Sequence, residues 1–479
     1  MKHLTRWLVL LLALSMVVAA CAQDGDDGDA GDTTTTTEAD GGEDTTTTEG
    51  DGGEETTTTE GDGDMMDVTF DGVTVTEDTI NIGMLADLSG VFATLVKDIV
   101  DAQLYTFDAY NEAGGVAGQW QINAIVEDTG YDVTVHGEKY AELVDQVVAF
   151  TQSTGSPHTA SIAAQLEEDN RFAIPLSWYS GWADPELGAN VLEQGITYCL
   201  EGINMVEFLA EELEAETGET PTIAIVSLPG EYGQDGAAGA RIAQEALGLE
   251  LVYDGEGQLG GEGNTEVIQA LVEAQPDIVH ITSTPGINAE VFGGTTQQGL
   301  TEAQWIGTGP SFNFALFDTP LGPEYLERYT QSVYYAPYGS DVERMDELEE
   351  IMLAADPDRL MTDAFSRGWV EAQIMIAVLE AAAASGDLTP EGVTAAAKSI
   401  EALDFGGISP AQSWAGEPDD FLVREVTIAR GNPDYVQGTI AEGAEDPNVG
   451  RPFIVIDEAY SGDLVQEFTW DGPCFVAEG

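Results

Sequence analysis

The chain has 479 residues, of which 88 are acidic and 14 are basic, so its formal net charge at neutral pH is −74. A surface this acidic repels nucleic acid and anionic lipid headgroups, which argues against either as a direct partner. The length is sufficient for two ordinary domains with substantial cores. A generally solvated surface and adaptation to a saline habitat both account for the excess of acid.

The first 20 residues have the pattern of a secretory signal. Lys2 and Arg6 precede an apolar run over 7–20, which is shorter than the roughly 20 residues that span a bilayer. The run ends in small residues followed by Cys21, and this resembles the lipobox of bacterial lipoproteins. We therefore predict a lipoprotein signal peptide at 1–20, with the lipid attached to Cys21.

Residues 21–66 repeat threonine runs separated by aspartate, glutamate and glycine. With so few apolar side chains, this segment cannot bury enough surface to offset the entropy of ordering. We predict a disordered acidic tether, whose threonines are either bare or O-glycosylated.

After the tether, β-branched runs alternate with helical patterns. The predicted elements, in chain order, are strand TINIGMLA, a helix over 97–111, strand QINAIVED, a helix over 141–150, strand FAIPLSW, a helix around 205–214, strand PTIAIVSL, a helix over 236–247, strands LELVYD, PDIVHITS and QWIGTG, helices over 345–355, 363–384 and 389–400, and a strand near FLVREVTIAR. Such alternation predicts an α/β fold with parallel sheets covered by helices. The number of units favours two lobes, with a ligand cleft at the carboxyl ends of their strands.

Motifs for catalysis or metal binding are weak in this sequence. The stretch GEGQLG matches a dinucleotide-binding spacing, but Glu256 and Glu262 would oppose a pyrophosphate. The four histidines lie far apart, and neither a G-x-S-x-G motif nor zinc spacing of cysteines is present. We predict no enzyme, no cofactor and no metal site. Cys199 and Cys474 are either partners in a disulfide or two separate buried thiols.

Five stretches together resemble the extracytoplasmic solute-binding proteins of the Leu/Ile/Val-binding type, which serve ABC importers. They are INIGMLADLSG, AYNEAGGVAGQWQINAIVEDT, FAIPLSW, IAIVSLPGEYGQDGA and TTQQGLTEAQWIGTG. The resemblance implies a type I periplasmic-binding-protein fold, with two Rossmann-like lobes joined by a three-strand hinge near Cys199, Tyr335 and Phe405. It assigns residues 78–200 plus about 338–405 to the first lobe, and 201–337 plus about 406–479 to the second.

The same resemblance implies a set of ligand-binding residues in the interlobe cleft. These are Leu95, Ser156, Thr159, Ser180, Gly181 and Trp182 in the first lobe, with Tyr232, Thr284 and Gly309 in the second. Amino-acid-binding members commonly have an acid at the position of Gly309, and that acid pairs with the ligand's ammonium. The glycine predicts a different solute, unless Asp87 or Glu231 replaces the acid. The end of FAIPLSW and the loop after it contain Trp178, Tyr179 and Trp182. These aromatic residues either favour a larger or more aromatic solute or pack in the core.

From these features we predict capture of a small organic solute, namely an amino acid, an amide or a related carboxylate. The protein would deliver it to an ABC permease as a monomer that the lipid holds at the outer face of the cell membrane. A ligand sensor for a signalling receptor is the alternative.

Overall fold

In this computed structural model the described residues are 68–359, 361–434 and 453–476. The predicted signal peptide, the tether and Cys21 lie outside them. The strands are β1 Thr79–Ala86, β2 Gln121–Asp128, β3 Phe150–Thr154, β4 Ala173–Leu176, β5 Thr222–Ser227, β6 Glu250–Gly255, β7 Ile278–Thr282, β8 Gln304–Gly307, β9 Tyr329–Val333, β10 Val426–Gly431 and β11 Phe453–Tyr460. The α-helices are α1 Ala93–Glu112, α2 Val133–Leu143, α3 Ser156–Glu168, α4 Tyr198–Thr217, α5 Gly230–Leu247, α6 Gly263–Ala274, α7 Pro285–Gln297, α8 Gly322–Arg328, α9 Met345–Ala355, α10 Asp363–Ser385, α11 Pro390–Lys398, α12 Pro418–Phe421 and α13 Asp463–Glu467.

The first lobe is built on a parallel four-stranded sheet in the order β2-β1-β3-β4. β3 and β4 are buried along their whole length, as expected for parallel strands covered on both faces. Helices α1 and α10 pack closely, and a Cβ added at Gly368 would lie 2.3 Å from the carbonyl oxygen of Ile99. The glycine therefore sets the close approach of these two helices.

The second lobe is built on a seven-stranded sheet in the order β11-β10-β9-β8-β7-β5-β6. Its strands β5 to β9 are parallel, while β10 runs antiparallel to both of its neighbours. Helices α4 and α5 cross tightly beside this sheet. A Cβ added at Gly239 would lie only 2.0 Å from the carbonyl oxygen of Cys199, so this crossing requires glycine.

The chain passes between the two sheets three times, before α4, after β9 and before β10. Backbone contacts join these three crossovers to one another. Ile196 forms a β-bridge with Val423, and the N–H of Ala336 donates to the carbonyl of Ile408 at 2.7 Å. The crossovers thus form a connected hinge region between the lobes.

The C-terminal segment returns from the second lobe to the first. A disulfide joins Cys474 to Cys199, with Cα atoms 6.3 Å apart. The Tyr179 hydroxyl donates to the carbonyl of Phe475 at 2.6 Å, and the N–H of Cys474 donates to Ser180 Oγ at 2.9 Å. No helix within the described ranges is long and apolar enough to cross a membrane.

The prediction of a parallel α/β fold is confirmed, and β1 and β2 occupy the predicted ranges. The predicted helix over 141–150 is wrong. Helix α2 ends at Leu143, and Phe150 is already the first residue of β3. The apolar residues 147–150 were too short a run to distinguish a buried strand from a helix by periodicity.

Candidate functional site

A cavity lies between the two lobes, where the carboxyl ends of several parallel strands approach one another. The first lobe contributes residues directly after β3, among them Gly155 and Ser156, and Trp178 after β4. The second lobe contributes Tyr232 from the first turn of α5 and Pro310 after β8. This is the place where open parallel sheets bind ligands.

The cavity walls are mainly apolar and aromatic. Phe92, Leu95, Val96 and Leu176 supply apolar surface. Further rings come from Tyr131, Trp178, Tyr198 and Tyr232. The cavity volume is about 20 Å³, which is room for about one water molecule. A larger solute therefore requires the rings to rotate or the lobes to separate.

Aromatic rings make direct contact between the lobes at this cavity. The ring centroids of Phe92 and Tyr232 are 6.4 Å apart, and those of Tyr198 and Tyr232 are 4.8 Å apart. The ring centroid of Trp178 lies 6.0 Å from that of Tyr198. Edge-to-face and tilted pairs at these separations are stabilising, so the two lobes contact each other through the cavity walls themselves.

Arg367 is the charged residue among the described residues that line this cavity. It lies in the second turn of α10 and is 6% exposed. Its Cζ atom is 4.7 Å from the ring centroid of Trp178 and 5.5 Å from that of Tyr335. Its Nε and Nη1 atoms have no hydrogen-bond partner among the described residues. A guanidinium is thus held by ring faces, with N–H groups still able to donate.

A buried carboxyl group lies beside Gly309. Glu201 accepts a hydrogen bond from the N–H of Gly309 at 2.7 Å, and it also accepts from the hydroxyls of Ser332 and Tyr334. Burial raises the pKa of Glu201 well above its ordinary range. A Cβ added at Gly309 would lie 3.0 Å from the Tyr334 ring, which leaves little room for an acidic side chain. Glu201 therefore already has three protein hydrogen-bond partners.

A second buried carboxyl group, Glu371, connects α10 to α1 and to the segment before α4. Gln103 and Gln194 donate to its two oxygens at 2.6 and 2.8 Å. Gln194 in turn accepts a hydrogen bond from Tyr335 at 2.7 Å. Burial raises the pKa of Glu371 to about 8. This network fixes the part of α10 that carries Arg367, four residues earlier.

Three of the nine residues assigned by resemblance line the cavity, namely Leu95, Ser156 and Tyr232. Ser156 Oγ shares a hydrogen bond of 2.7 Å with Ser177 Oγ. The hydroxyl of Tyr232 donates to the carbonyl of Ser283 at 2.7 Å. Leu95 therefore presents apolar surface, while the two hydroxyl groups already have protein partners.

Three of the remaining assigned residues lie in the loop after β4, outside the cavity lining. Ser180 donates through its N–H to Asp235 at 3.0 Å, and burial raises the pKa of Asp235 to about 7. Trp182 Nε1 donates to Ser177 Oγ at 3.0 Å. A Cβ at Gly181 would lie 2.2 Å from the Tyr179 ring. These contacts place the loop in a packing role between the lobes.

The last three assigned residues also lie outside the lining. Thr159 Oγ1 shares a hydrogen bond of 2.7 Å with Ser153 Oγ inside the first lobe. Thr284 caps α7 by accepting from the N–H of Ile287 at 3.3 Å. Gly309 donates to Glu201, as described above. None of the three has a side chain that faces the cavity in this structure.

Sequence reasoning missed Arg367, although the sequence carries a signal for it. Arg367 directly precedes the apolar stretch GWVEAQIMIAVLEAAAAS. It lies four positions before Glu371, so the two side chains share one helix face. Charged residues are rarely fully buried unless they are paired or functional. No group of three or more histidine, cysteine or acidic side chains that could hold a metal ion occurs within the described part of the chain.

Comparisons with known proteins agree with this architecture. Residues 79–435 match the sequence profile of the family described as periplasmic binding protein. A fatty acid ABC transporter substrate-binding protein from Thermomonospora curvata is 26% identical, with a TM-score of 0.73 over 84% of this chain and 97% of that chain. A branched chain amino acid ABC transporter protein from Thermus thermophilus, solved with bound valine, is 16% identical, with a TM-score of 0.66 over 82% and 98% of the two chains. No curated protein sequence matches significantly.

Proposed function

This chain belongs to the periplasmic binding protein family, and from that premise we propose that it captures a small organic solute between its lobes and delivers it to an ABC permease. The solute class is an amino acid, an amide or a related carboxylate. The observation that carries the proposal is the cavity at the strand ends, whose walls come from both lobes. A solute bound there touches both lobes, so it stabilises their closed arrangement over an open one.

The cavity chemistry and the similar structures support a solute with apolar surface. Phe92, Leu95 and Trp178 contribute apolar surface on the first lobe. The protein from Thermomonospora curvata is described as binding fatty acid, and the one from Thermus thermophilus holds valine. Both descriptions name solutes that combine an apolar body with a carboxylate group.

The N-terminal sequence supports a location outside the cytoplasm. The apolar run ending at Cys21 and the acidic tether over 21–66 suit a monomer that is fixed to the outer face of the membrane by a lipid. Mass spectrometry of the membrane-extracted protein tests this part, because diacylation at Cys21 adds a defined mass and signal-peptide cleavage before Cys21 removes residues 1–20. Genes for a permease and an ATPase beside this gene would favour a transporter over a signalling receptor.

A thermal-shift screen of the purified protein tests capture itself. The panel contains branched-chain and aromatic amino acids, short amides and carboxylates, each at high and low salt. A solute at one hundred times its dissociation constant raises the free energy of unfolding by about 2.7 kcal/mol. The proposal fails if no member of the panel stabilises the protein.

A matched pair of variants assigns the binding to the cavity. Leu95→Trp fills a cavity with a volume of about 20 Å³ and is expected to abolish the stabilisation. Leu353→Trp introduces the same side chain on α9 at a position that is 38% exposed, and it is expected to bind solute normally. Equal binding by both variants would place the site elsewhere.

A further inference from the structure

We propose that Arg367 anchors the carboxylate of the solute, and that the solute is a monocarboxylic acid with an apolar body and no ammonium group. This inference rests on the proposed function and narrows its solute class. The observations that carry it are the position of the guanidinium in the cavity wall, the absence of a hydrogen-bond partner for its Nε and Nη1 atoms among the described residues, and the chemistry of the walls around it.

The hydrogen bonds of Arg367 differ from those of the other deeply buried arginines. Arg171 donates through Nε to the carbonyl of Val147 at 2.7 Å. Arg328 donates through Nη2 to Glu324 at 3.0 Å. Arg367 is equally buried, yet its Nε and Nη1 have no partner among the described residues. Burial of a cation with unused donors is costly, so an acceptor from a solute is the expected partner.

Three aromatic rings lie close to the guanidinium of Arg367. Its Cζ lies 4.7 Å from the ring centroid of Trp178, 5.5 Å from that of Tyr335 and 5.7 Å from that of Tyr334. Ring faces occupy the flat faces of a guanidinium and leave the N–H groups at its edge. Those edge groups form the fork that binds a carboxylate through two parallel hydrogen bonds.

The acids near Arg367 do not replace a solute carboxylate. Asp363, Glu201 and Glu371 are close enough for the charge of Arg367 to lower their pKa values, but burial is the larger effect on each and raises them. Burial raises the pKa of Glu371 to about 8, and its two oxygens already accept hydrogen bonds from Gln103 and Gln194. Glu201 is occupied by Gly309, Ser332 and Tyr334. Nε and Nη1 of Arg367 form no hydrogen bond with any of these three carboxyl groups.

The walls favour an apolar body over an ammonium group. Among the described residues that line the cavity, none is acidic, and Phe92, Leu95, Val96 and Leu176 are apolar. None of these described lining residues offers a carboxylate to an ammonium placed there, and Asp87, which lies near Tyr131, already accepts hydrogen bonds from the N–H groups of Gly90 and Phe92. A local cation also has to overcome the repulsion that a net charge of −74 exerts on any anion. A carboxylate that contacts Arg367 directly gains a counter-charge, and this contact offsets the repulsion from the acidic protein.

Calorimetric titration of the purified protein with matched acids, amides and amino acids tests the proposal. The acids are 4-methylpentanoate, phenylacetate and octanoate; each is compared with its amide and with its 2-amino derivative, for example leucine for 4-methylpentanoate. We expect at least one acid to bind, and its amide and 2-amino derivative to bind about 100-fold more weakly, because each loses or opposes a charge-assisted contact.

Two variants then separate the guanidinium from the total charge. Arg367→Gln is expected to weaken binding of the acid by about 100-fold, and Arg367→Lys to recover part of it, because a lysine retains the charge without the fork. Arg241→Gln removes the same charge from a site that pairs with Asp254 and Glu256, and is expected to bind as the unaltered protein does.

Each other outcome overturns the inference. Preferential binding of leucine or of an amide refutes the carboxylate anchor and leaves the proposed function intact. Equal binding of an acid by Arg367→Gln and the unaltered protein refutes the role of Arg367 alone. Failure of the unaltered protein to bind any acid, amide or amino acid refutes both this inference and the proposed function. The comparison of solutes needs no variant, so it stands even if Arg367→Gln does not fold.

Discussion

Replacing Cys199 and Cys474 with serine tests what the disulfide contributes to stability. The bond joins the first turn of α4 to a residue 275 positions later. The segment around Cys474 also accepts a hydrogen bond from Tyr179 and donates one to Ser180. The disulfide therefore closes a loop that begins at one crossover between the lobes and contains the other two.

The length of this loop gives the size of the effect. In the chain-entropy account, cross-linking residues 275 positions apart lowers the entropy of the unfolded chain and stabilises the fold by about 5–6 kcal/mol at 25 °C. A folded part of roughly 400 residues has an unfolding entropy of about 0.8 kcal/mol per degree. We therefore expect the double serine variant to melt about 6–7 °C below the unaltered protein.

Urea denaturation and calorimetry, with and without reductant, measure this difference. A non-reducing digest followed by mass spectrometry first identifies the peptide pair joined through Cys199 and Cys474. Reductant is expected to lower the stability of the unaltered protein and to leave that of the serine variant unchanged. The serine variant therefore controls for effects of the reductant other than cleavage of this disulfide. A loss below about 1 kcal/mol in a protein with a verified bond would refute the loop-closure argument.

Three further substitutions test buried groups. The pKa of Glu371 is raised to about 8, so above about pH 4.5 the folded state keeps a proton that the unfolded state releases. The contribution of Glu371 to stability is therefore present below about pH 4.5 and is lost as the pH rises through 8, and Glu371→Gln should flatten the urea-derived free energy of unfolding between pH 5 and 8. His280 has the opposite sign, since burial lowers its pKa to about 3 and its contribution to stability is lost as the pH drops from 6.5 towards 3. Buried His136 contributes to the same loss, so His280→Leu should reduce the fall in stability without abolishing it, and an unchanged acid slope in urea titrations would contradict this assignment. Gly239→Ala places a Cβ 2.0 Å from the Cys199 carbonyl oxygen and should cost about 1–3 kcal/mol in the same assay, whereas a neutral result would show that α4 and α5 separate easily.

The fold was largely predictable because its signals are local. The strands TINIGMLA and QINAIVED are short, β-branched and bounded by turns, and they occupy the predicted ranges. The predicted helix over 363–384 is confirmed as Asp363–Ser385, and Gly386 in the left-handed conformation ends it. Helix α1 begins four residues earlier than predicted, at Ala93, because Phe92 at its N-cap gives no side-chain capping signal.

The site was less predictable because it depends on contacts between distant segments. Tyr232 and Ser156 stand in loops that strand order brings to the cavity, and a family resemblance is sufficient to find such loops. Arg367 comes from the side of a helix more than 100 residues further along the chain. The pairing of Arg367 with Glu371 on an apolar helix is visible in the sequence, but the contact of Arg367 with Trp178 depends on how distant segments pack.

Phe92 and Tyr232 contact each other across the lobes, with ring centroids 6.4 Å apart. Each ring therefore competes with the solute for apolar surface of the opposite lobe. Part of the apolar surface that a solute would cover is already covered by a ring of the opposite lobe, so the net gain on binding is smaller than the solute's own contact area suggests. Smaller rings at these two positions would reduce that competition and shift preference towards bulkier solutes. The size range of acceptable solutes can therefore change through residues that need not recognise any polar group of the solute.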